Sequence, residues 1–211
     1  MKKHWFFLLI FSITVLISIC SLPYLPAEVA LHWNASGEVD GYNSKWYAVS
    51  FGPLLMLLLY VMMNVLPKFD PRQDTYTKAK STYLMTRYVV IVFMLVIHCI
   101  VILNGLGYNL DIGLIINMLV GLLFVFIGNV MPRMKPSYFV GIRTPWTLAS
   151  DEVWRKTHFV GGRLFVLGGI LIIVCSFLPS FLQVWALLVI LLGTVVITFF
   201  ISYFYYRQIK Q

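Results

Sequence analysis

Two stretches of this sequence hold side chains whose types and spacing could do chemistry. The first, GIRTPWTLASDEVWRKTH at 141–158, gathers two tryptophans, two arginines, a lysine, a proline and a histidine into eighteen residues. Asp151, Thr157 and His158 are the acid, hydroxyl and base that a hydrolase at a membrane interface would draw on, with His98 as a second possible base. Catalysis needs a nucleophile, a base and an orienting group within reach. On one helix Asp151 and His158 share a face but stand about two turns apart, too far for a direct hydrogen bond. No catalytic residue is therefore expected. The second stretch, SLPYLPAEVALHWNASGEVDGYNSKW at 21–46, carries His32, Glu38 and Asp40, which could converge on a metal. Their spacing matches no metal motif, so no metal or cofactor is expected. Val29, Leu31 and Trp33 alternate with polar or small positions, which suggests a short extended piece, and Ala-Ser-Gly and Asp-Gly mark turns. The stretch reads as a compact loop with an acidic rim. Asn34-Ala35-Ser36 is a formal glycosylation triplet, with nothing else pointing to that modification.

The first stretch also has a local structural logic. Thr144 precedes Pro145 and is pushed away from helical geometry. Ser150 is positioned as an N-cap, with Asp151 and Glu152 in the first turn, where the helix dipole favours negative charge. The helix starting there runs through Trp154 and His158 into an apolar span. Trp146 and Trp154 then fall at the lipid–water interface. Arg143, Arg155, Lys156 and Arg163 can meet anionic headgroups, Arg163 by snorkelling. This explains the capping residues and the aromatics, but not the need for so tight an Arg-Thr-Pro-Trp-Thr.

The elements that must position these residues are set by composition. Of 211 residues, 60% are hydrophobic and only 11% charged, against about 25% charged in soluble domains. The solvent of such a chain is lipid. A net charge of +8 invites a nucleic-acid reading, but that needs a basic face on a soluble fold. Here the positives sit between apolar runs, as positive-inside topology requires, so no direct nucleic-acid binding is expected. Cys20, Cys99 and Cys175 each lie inside an apolar run, where cysteine acts as a small hydrophobe, and form no metal or disulfide pattern. The basic start and eighteen-residue apolar run at 5–22 lack a small-x-small cleavage site, so they read as a retained transmembrane helix.

Six runs approach the roughly 20 apolar residues that cross a bilayer: 5–22, 47–66, 88–104, 112–131, 161–178 and 182–204. They lack the alternation of a barrel strand. The expected fold is all-α, a polytopic six-helix membrane bundle. Placing the N-terminus in the cytoplasm puts every basic residue but Lys45 on the inner side, Lys2, Lys3 and Lys78 among them, so both termini are expected to be cytoplasmic. The organisation expected is a two-helix unit over 1–66 with an extracytoplasmic loop at 23–46, a basic cytoplasmic loop at 67–87, and a four-helix region over 88–211 with a cytoplasmic loop at 132–160. Gly113, Asn117, Gly121 and Gly128 lie along one face of the fourth helix, and Gly161–Gly162 and Gly168–Gly169 recur seven apart in the fifth. Small residues let helices approach closely in lipid, and Asn129 is counted with this packing set. His98 and Asn117 are deep enough to suggest a pathway, but neither has a charged partner in sequence. With no nucleotide-binding motif and no buried acid for proton coupling, a transporter of peptides or small amphiphiles is the lesser reading.

Gly128-Asn129, then Gly141-Ile142-Arg143-Thr144-Pro145-Trp146-Thr147-Leu148 and Val153-Trp154, resemble the signature of the SdpI family, typified by a bacterial immunity protein against a sporulation-delaying peptide toxin. Leu25-Pro26-x-Glu28, His32-Trp33-Asn34, Gly37 and Asp40-Gly41 resemble the extracytoplasmic loop of the small domain that opens many members. The resemblance implies a multipass protein of the bacterial cell membrane that protects its host from a small membrane-disrupting peptide toxin. In the typifying member it also implies a receptor that draws a DNA-binding autorepressor to the membrane. By the same resemblance Arg143, Thr144, Pro145, Trp146, Thr147, Trp154 and Arg155 are candidates for a cytoplasmic signalling surface. Glu28, His32, Trp33, Glu38, Asp40 and Tyr42 are candidates for toxin encounter. The implied partners are the lipid bilayer, a peptide toxin on the outer or membrane side, and a cytoplasmic repressor protein.

Overall fold

The computed structural model describes residues 4–34 and 38–210. Lys2 and Lys3, the Ala35-Ser36 part of the glycosylation triplet, Gly37 and the Lys78 side chain lie outside what it describes. Helix α1 (Trp5–Ser21) leads into strands β1 (Glu28–Trp33) and β2 (Val39–Ser44). Then come α2 (Lys45–Phe69), α3 (Gln73–Lys78), α4 (Lys80–Gly105), α5 (Ile112–Val130) and a 3-10 turn (Met131–Arg133). A short α6 (Pro145–Ala149), α7 (Asp151–Cys175) and α8 (Ser180–Lys210) complete the chain.

Each of the six apolar runs forms a helix. Five are long and apolar enough to cross a membrane: α2, α4, α5 with its 3-10 extension, α7 and α8. Helix α1 is equally apolar but has 17 residues, about 26 Å at 1.5 Å per residue, against a hydrocarbon core of about 30 Å. The surface is inverted relative to a soluble bundle. Along α8, Val189, Leu192, Val196, Phe200 and Phe204 are exposed while Gln183, Thr194, Thr198 and Ser202 are buried. Helix α1 repeats this, with Leu8, Leu9, Leu16 and Ile19 outward and Thr14, Ser18 and Ser21 inward. Hydrocarbon outside and hydrogen bonds inside is the arrangement lipid selects. The protein is an all-α polytopic membrane protein.

The chain forms two compact units, 1–65 with 87–115, and 66–86 with 116–211. These divide α2, α4 and α5 internally, and most of α4 packs with the first two helices instead of with a region over 88–211. In the first unit Phe7, Met56 and Ile91 form one cluster, and Leu25, Val29, Ala48, Val49 and Ile102 another. The Ser18 hydroxyl donates to Val49 O at 2.9 Å and lies 2.9 Å from His98 Nε2, tying α1, α2 and α4 together. The expected extended piece is an antiparallel hairpin, Glu28 opposite Ser44 and Trp33 opposite Val39. The register is irregular around His32, and before it Val29 and Ala30 are both buried.

In the second unit four of the small residues named above lie where helices approach closely. A Cβ on Gly128 would stand 2.5 Å from Gly162 O, and one on Gly121 would stand 2.8 Å from Gly169 O, so the α5 and α7 backbones touch at two levels. Gly161 and Gly168 face Thr198 and Thr194 of α8. Asn117 Nδ2 donates to Gln183 Oε1 at 3.0 Å, joining α5 to α8. Asn129 does not belong to this set. It is exposed, and its amide donates to Val125 O of its own helix at 2.9 Å. Adjacent helical positions are about 100° apart, so with Gly128 against α7 its neighbour points elsewhere. Gly113, half-buried in the first turn of α5, falls in the first unit, away from the α5–α7 crossing.

Candidate functional site

The second unit gathers its polar side chains in an elbow, residues 131–160, between α5 and α7. Its tightest part is Thr144-Pro145-Trp146-Thr147. Thr144 is extended (φ −112°, ψ 162°), as a residue before proline must be, and Pro145 occupies the first turn of α6. The Thr144 and Thr147 side chains form a reciprocal capping box. Thr144 Oγ1 accepts from Thr147 N–H at 3.1 Å, and Thr144 N–H donates to Thr147 Oγ1 at 2.9 Å. Thr147 Oγ1 donates to Ile142 O at 2.8 Å, and Thr144 Oγ1 lies 3.0 Å from Ser202 Oγ of α8. The motif is tight because both threonines sit in a dry space where every polar atom needs a partner.

One residue joins two helices. Ser150 ends α6 and caps α7, accepting from Val153 N–H. Four residues on, Trp154 is 1% exposed and donates Nε1–H to Met134 O at 3.0 Å. Its ring stacks on His158 with centroids 4.0 Å apart. His158 Nδ1–H donates to Trp154 O at 2.9 Å, and Nε2 accepts from Ile142 N–H at 3.0 Å. That pairing requires the neutral imidazole protonated at Nδ1 and leaves neither nitrogen free to act as a base. Gly141 passes over this stack at φ +111°, where a Cβ would come within 2.5 Å of His158 Nε2 and 2.8 Å of the indole. Only glycine meets both demands.

A second strap comes from the loop after α2. Asp70 is fully buried. Its Oδ1 accepts from Arg72 N–H at 2.8 Å, and its Oδ2 accepts from Tyr76 OH, Ser137 Oγ and Tyr138 N–H at 2.8, 3.0 and 2.9 Å. Burial by itself raises the Asp70 pKa, but these four donors outweigh it and hold the group below the ordinary aspartate value. Burial also pushes the Tyr76 phenol up, with the Asp70 charge adding to it, so the phenol remains a donor. Arg72 then crosses to the α6–α7 junction. Its Nη1 donates to Asp151 Oδ1 at 2.7 Å and its Nη2 to Leu148 O at 3.3 Å, with the guanidinium 5.9 Å from the Tyr138 ring.

The signalling candidates thus separate by burial. Thr144, Thr147 and Trp154 are interior and form the framework of the elbow. For Trp154 this corrects the interfacial reading, because its indole packs on His158 and faces no lipid. Trp146 is half-buried, edge-on to Phe199 at 5.0 Å and tilted against Tyr203 at 5.1 Å. Arg143, Pro145 and Arg155 are exposed. Arg143 donates to Tyr138 O at 2.7 Å. Arg155 lines a cleft of about 540 Å³ with Lys135, Asp151, Glu152 and Trp154. In that cleft Asp151 is held by Arg72 and Glu152 by Lys156 at 2.9 Å. Sequence reasoning missed Asp70 and Arg72. Asp-Pro announces a turn, but nothing local announces partners some 65 to 80 residues away.

In the first unit the toxin-encounter candidates share the hairpin. Glu28, His32, Glu38, Asp40 and Tyr42 are exposed and Trp33 is half-buried. His32 Nδ1 and Asp40 Oδ1 pair at 2.5 Å, and Glu38 accepts from Asn34 Nδ2 at 3.2 Å. His32, Glu38 and Asp40 therefore do not converge, and among the described residues no three His, Cys, Asp or Glu side chains gather as a metal site would require.

An inverted helix bundle, a hairpin between its first two helices and a hydrogen-bonded elbow before its last two define a class of small polytopic membrane protein. Comparison with known proteins gives matches to two families, each over part of the chain. Residues 133–205, the elbow with α7 and most of α8, match the SdpI/YfhL protein family, and residues 9–57, holding the hairpin, match a domain of unknown function, DUF1648. The chain is 27% identical over 210 residues to Immunity protein SdpI of Bacillus subtilis (strain 168), covering 100% of this chain and 99% of that protein. The resemblance to the SdpI family read from the two motifs therefore holds, with residues 133–205 matching the SdpI/YfhL family. The relative is named for immunity and not for an enzyme activity. No solved structure matches the chain.

Proposed function

We propose that this protein is an immunity protein of the bacterial plasma membrane, without enzymatic activity, that protects its cell from a small membrane-active peptide toxin. The observation that carries the reading is the end-to-end similarity to Immunity protein SdpI. Both termini face the cytoplasm, which puts the hairpin outside and the elbow inside. On the inside, Arg143, Pro145, Trp146 and Arg155 form the face that a repressor protein reads, and the buried Thr144, Thr147 and Trp154 hold that face in shape. The test is survival of a toxin-sensitive bacterium challenged with a sporulation-delaying-type peptide. The protein is expected to protect. An Arg143→Ala/Trp146→Ala variant at equal membrane abundance is expected to protect as well, but to recruit a repressor reporter at least tenfold less. A parent protein that gives no protection removes the immunity reading, and a variant with full recruitment removes the elbow as the reading face.

The hairpin gives the outer side an electrostatic role. Glu28 and Glu38 are exposed and unneutralised by any ion pair among the described residues, while Lys45 folds back toward Leu22 O at 3.4 Å. A cationic amphipathic peptide is drawn to such a rim before it enters the bilayer. Replacing Glu28, Glu38 and Asp40 by their amides is expected to weaken protection most in low-salt medium. Protection that stays unchanged at every salt concentration would rule steering out.

A further inference from the structure

Arg87 stands in the second turn of α4 and is 3% exposed, although arginine is costly to hold inside a membrane protein. Its Nη1 donates to Asn64 Oδ1 at 2.7 Å, and its guanidinium carbon lies 5.4 Å from the Tyr60 ring and 5.8 Å from the Tyr88 ring. Nε and Nη2 are buried with no partner. These two nitrogens share the side edge of the guanidinium, the fork whose parallel N–H groups match two oxygens of one phosphate or carboxylate. The tyrosine faces attract the charge but accept no hydrogen bond along that edge. The site is therefore half built: two rings and an amide in place, and a bidentate oxyanion fork left open.

The chain does not fill this fork itself. The carboxylates of the first unit are Glu28, Glu38, Asp40 and Asp111, on the hairpin or at the start of α5. The hairpin base, Leu25 and Val29, packs at Gly105, eighteen residues from Arg87 and about 27 Å along the helix. In the second unit Asp70, Asp151 and Glu152 are engaged by their own donors, and Asp74 is exposed. Arg87 lies at an aromatic collar. Phe6 packs on Tyr88 with centroids 4.4 Å apart, Phe7 stacks on Tyr60 at 3.6 Å, and Trp5 is 58% exposed. Such collars mark the headgroup level of a bilayer. Val61, Met62 and Val65, next to Tyr60 and Asn64 along α2, are exposed apolar side chains, a surface suited to the acyl chains of a lipid whose headgroup sits at the collar.

We propose that the side edge of Arg87 is a phosphate site filled by the headgroup of a membrane phospholipid. The edge is covered in the unliganded chain. The first turn of α1, which packs on both bracketing rings and is tied to Tyr60 by a His4 hydrogen bond, gives way when the headgroup enters. This site is independent of the immunity reading.

The test uses the full chain in detergent with three probes: phosphatidylglycerol, a phosphate-free diglucosyl diacylglycerol, and inorganic phosphate. The readouts are the thermal unfolding midpoint and the lipid retained in native mass spectrometry. Phosphatidylglycerol is expected to raise the midpoint and to remain at one molecule per chain, while the phosphate-free lipid does neither and inorganic phosphate gives less than a tenth of the apparent affinity. Arg87→Gln, and Arg87→Lys with its charge but no fork, are expected to bind phosphatidylglycerol at least tenfold more weakly. Unchanged binding by Arg87→Gln would overturn the site. Inorganic phosphate matching phosphatidylglycerol would overturn the lipid as its source. Should Arg87→Gln not fold, the parent chain still decides, since equal stabilisation by the phosphate-free lipid overturns the proposal.

Discussion

Asp70→Ala is expected to release the elbow at a cost of about 4 kcal/mol. Four donors lose their acceptor in a space closed to water, two of them backbone N–H groups and two of them hydroxyls. A hydrogen bond to a charged group contributes about 1.5–3 kcal/mol, and a buried donor left without a partner costs about 1–3 kcal/mol. Water entering the opened loop recovers part of the simple sum. The measurement is limited proteolysis of 131–149 alongside denaturant unfolding of the full chain in detergent. Asp70→Asn is expected to fall between. With its oxygen in the place of Oδ2 it keeps three donors, but its amide then faces Arg72 N–H, donor against donor. Arg72→Ala is expected to cost about 1 kcal/mol or less, because Asp151 is exposed and the pair is screened. Wild-type resistance to proteolysis in Asp70→Ala would show that the strap holds nothing.

The same carboxylate sets an acid limit. Its folded-state pKa lies below the ordinary value of 3.8, so its contribution is complete above that value. It is lost as pH falls through the lower folded value. Elbow protection is therefore expected to stay flat from neutral pH to about pH 5 and to fall only below about pH 4. In Asp70→Asn this particular step should be absent.

Gly128→Val carries the other large effect, a loss of about 3 kcal/mol or more and a matching fall in membrane abundance. The added Cβ would meet Gly162 O at 2.5 Å and Val166 N at 2.7 Å. Both are backbone atoms of α7, so no side-chain rotation relieves the clash. The helices must separate, and the second contact, Gly121 on Gly169, opens with them. Overpacking in a side-chain core costs about 1–3 kcal/mol, and a rigid backbone places this site at or beyond the upper end. Gly193→Ala in α8 is the control. A Cβ there meets nothing within 4 Å, and helix propensity favours alanine by up to about 1 kcal/mol. Thermal unfolding of the two variants in detergent should move in opposite directions. Equal midpoints would mean that the α5–α7 crossing is not held by close backbone approach.

What the sequence by itself determined was whatever depends on composition and short period. Sixty per cent apolar residues in runs near bilayer length leave a chain nothing to do in water, and every such run is a helix. The Ser150 cap with Asp151 and Glu152, the start of α7 and the glycine faces of α5 and α7 are also local properties, because a cap or a helical face is decided within a turn or two. The two family motifs were legible for the same reason. Tertiary structure alone decided which members of a motif face outward. Thr144 and Thr147 look like any polar surface pair until Ser202 of α8 closes over them, and Trp154 looks like an interfacial anchor until Met134 O and His158 take up its two sides. Asp70 serves the elbow from more than sixty residues away, and Arg87 shows its open fork only when Asn64 and two tyrosines have occupied the rest of it. In lipid the apolar pattern fixes which segments are helices but cannot rank their faces, because all faces are greasy. The inward faces are chosen by hydrogen bonds between distant segments, and those exist only once the chain has folded.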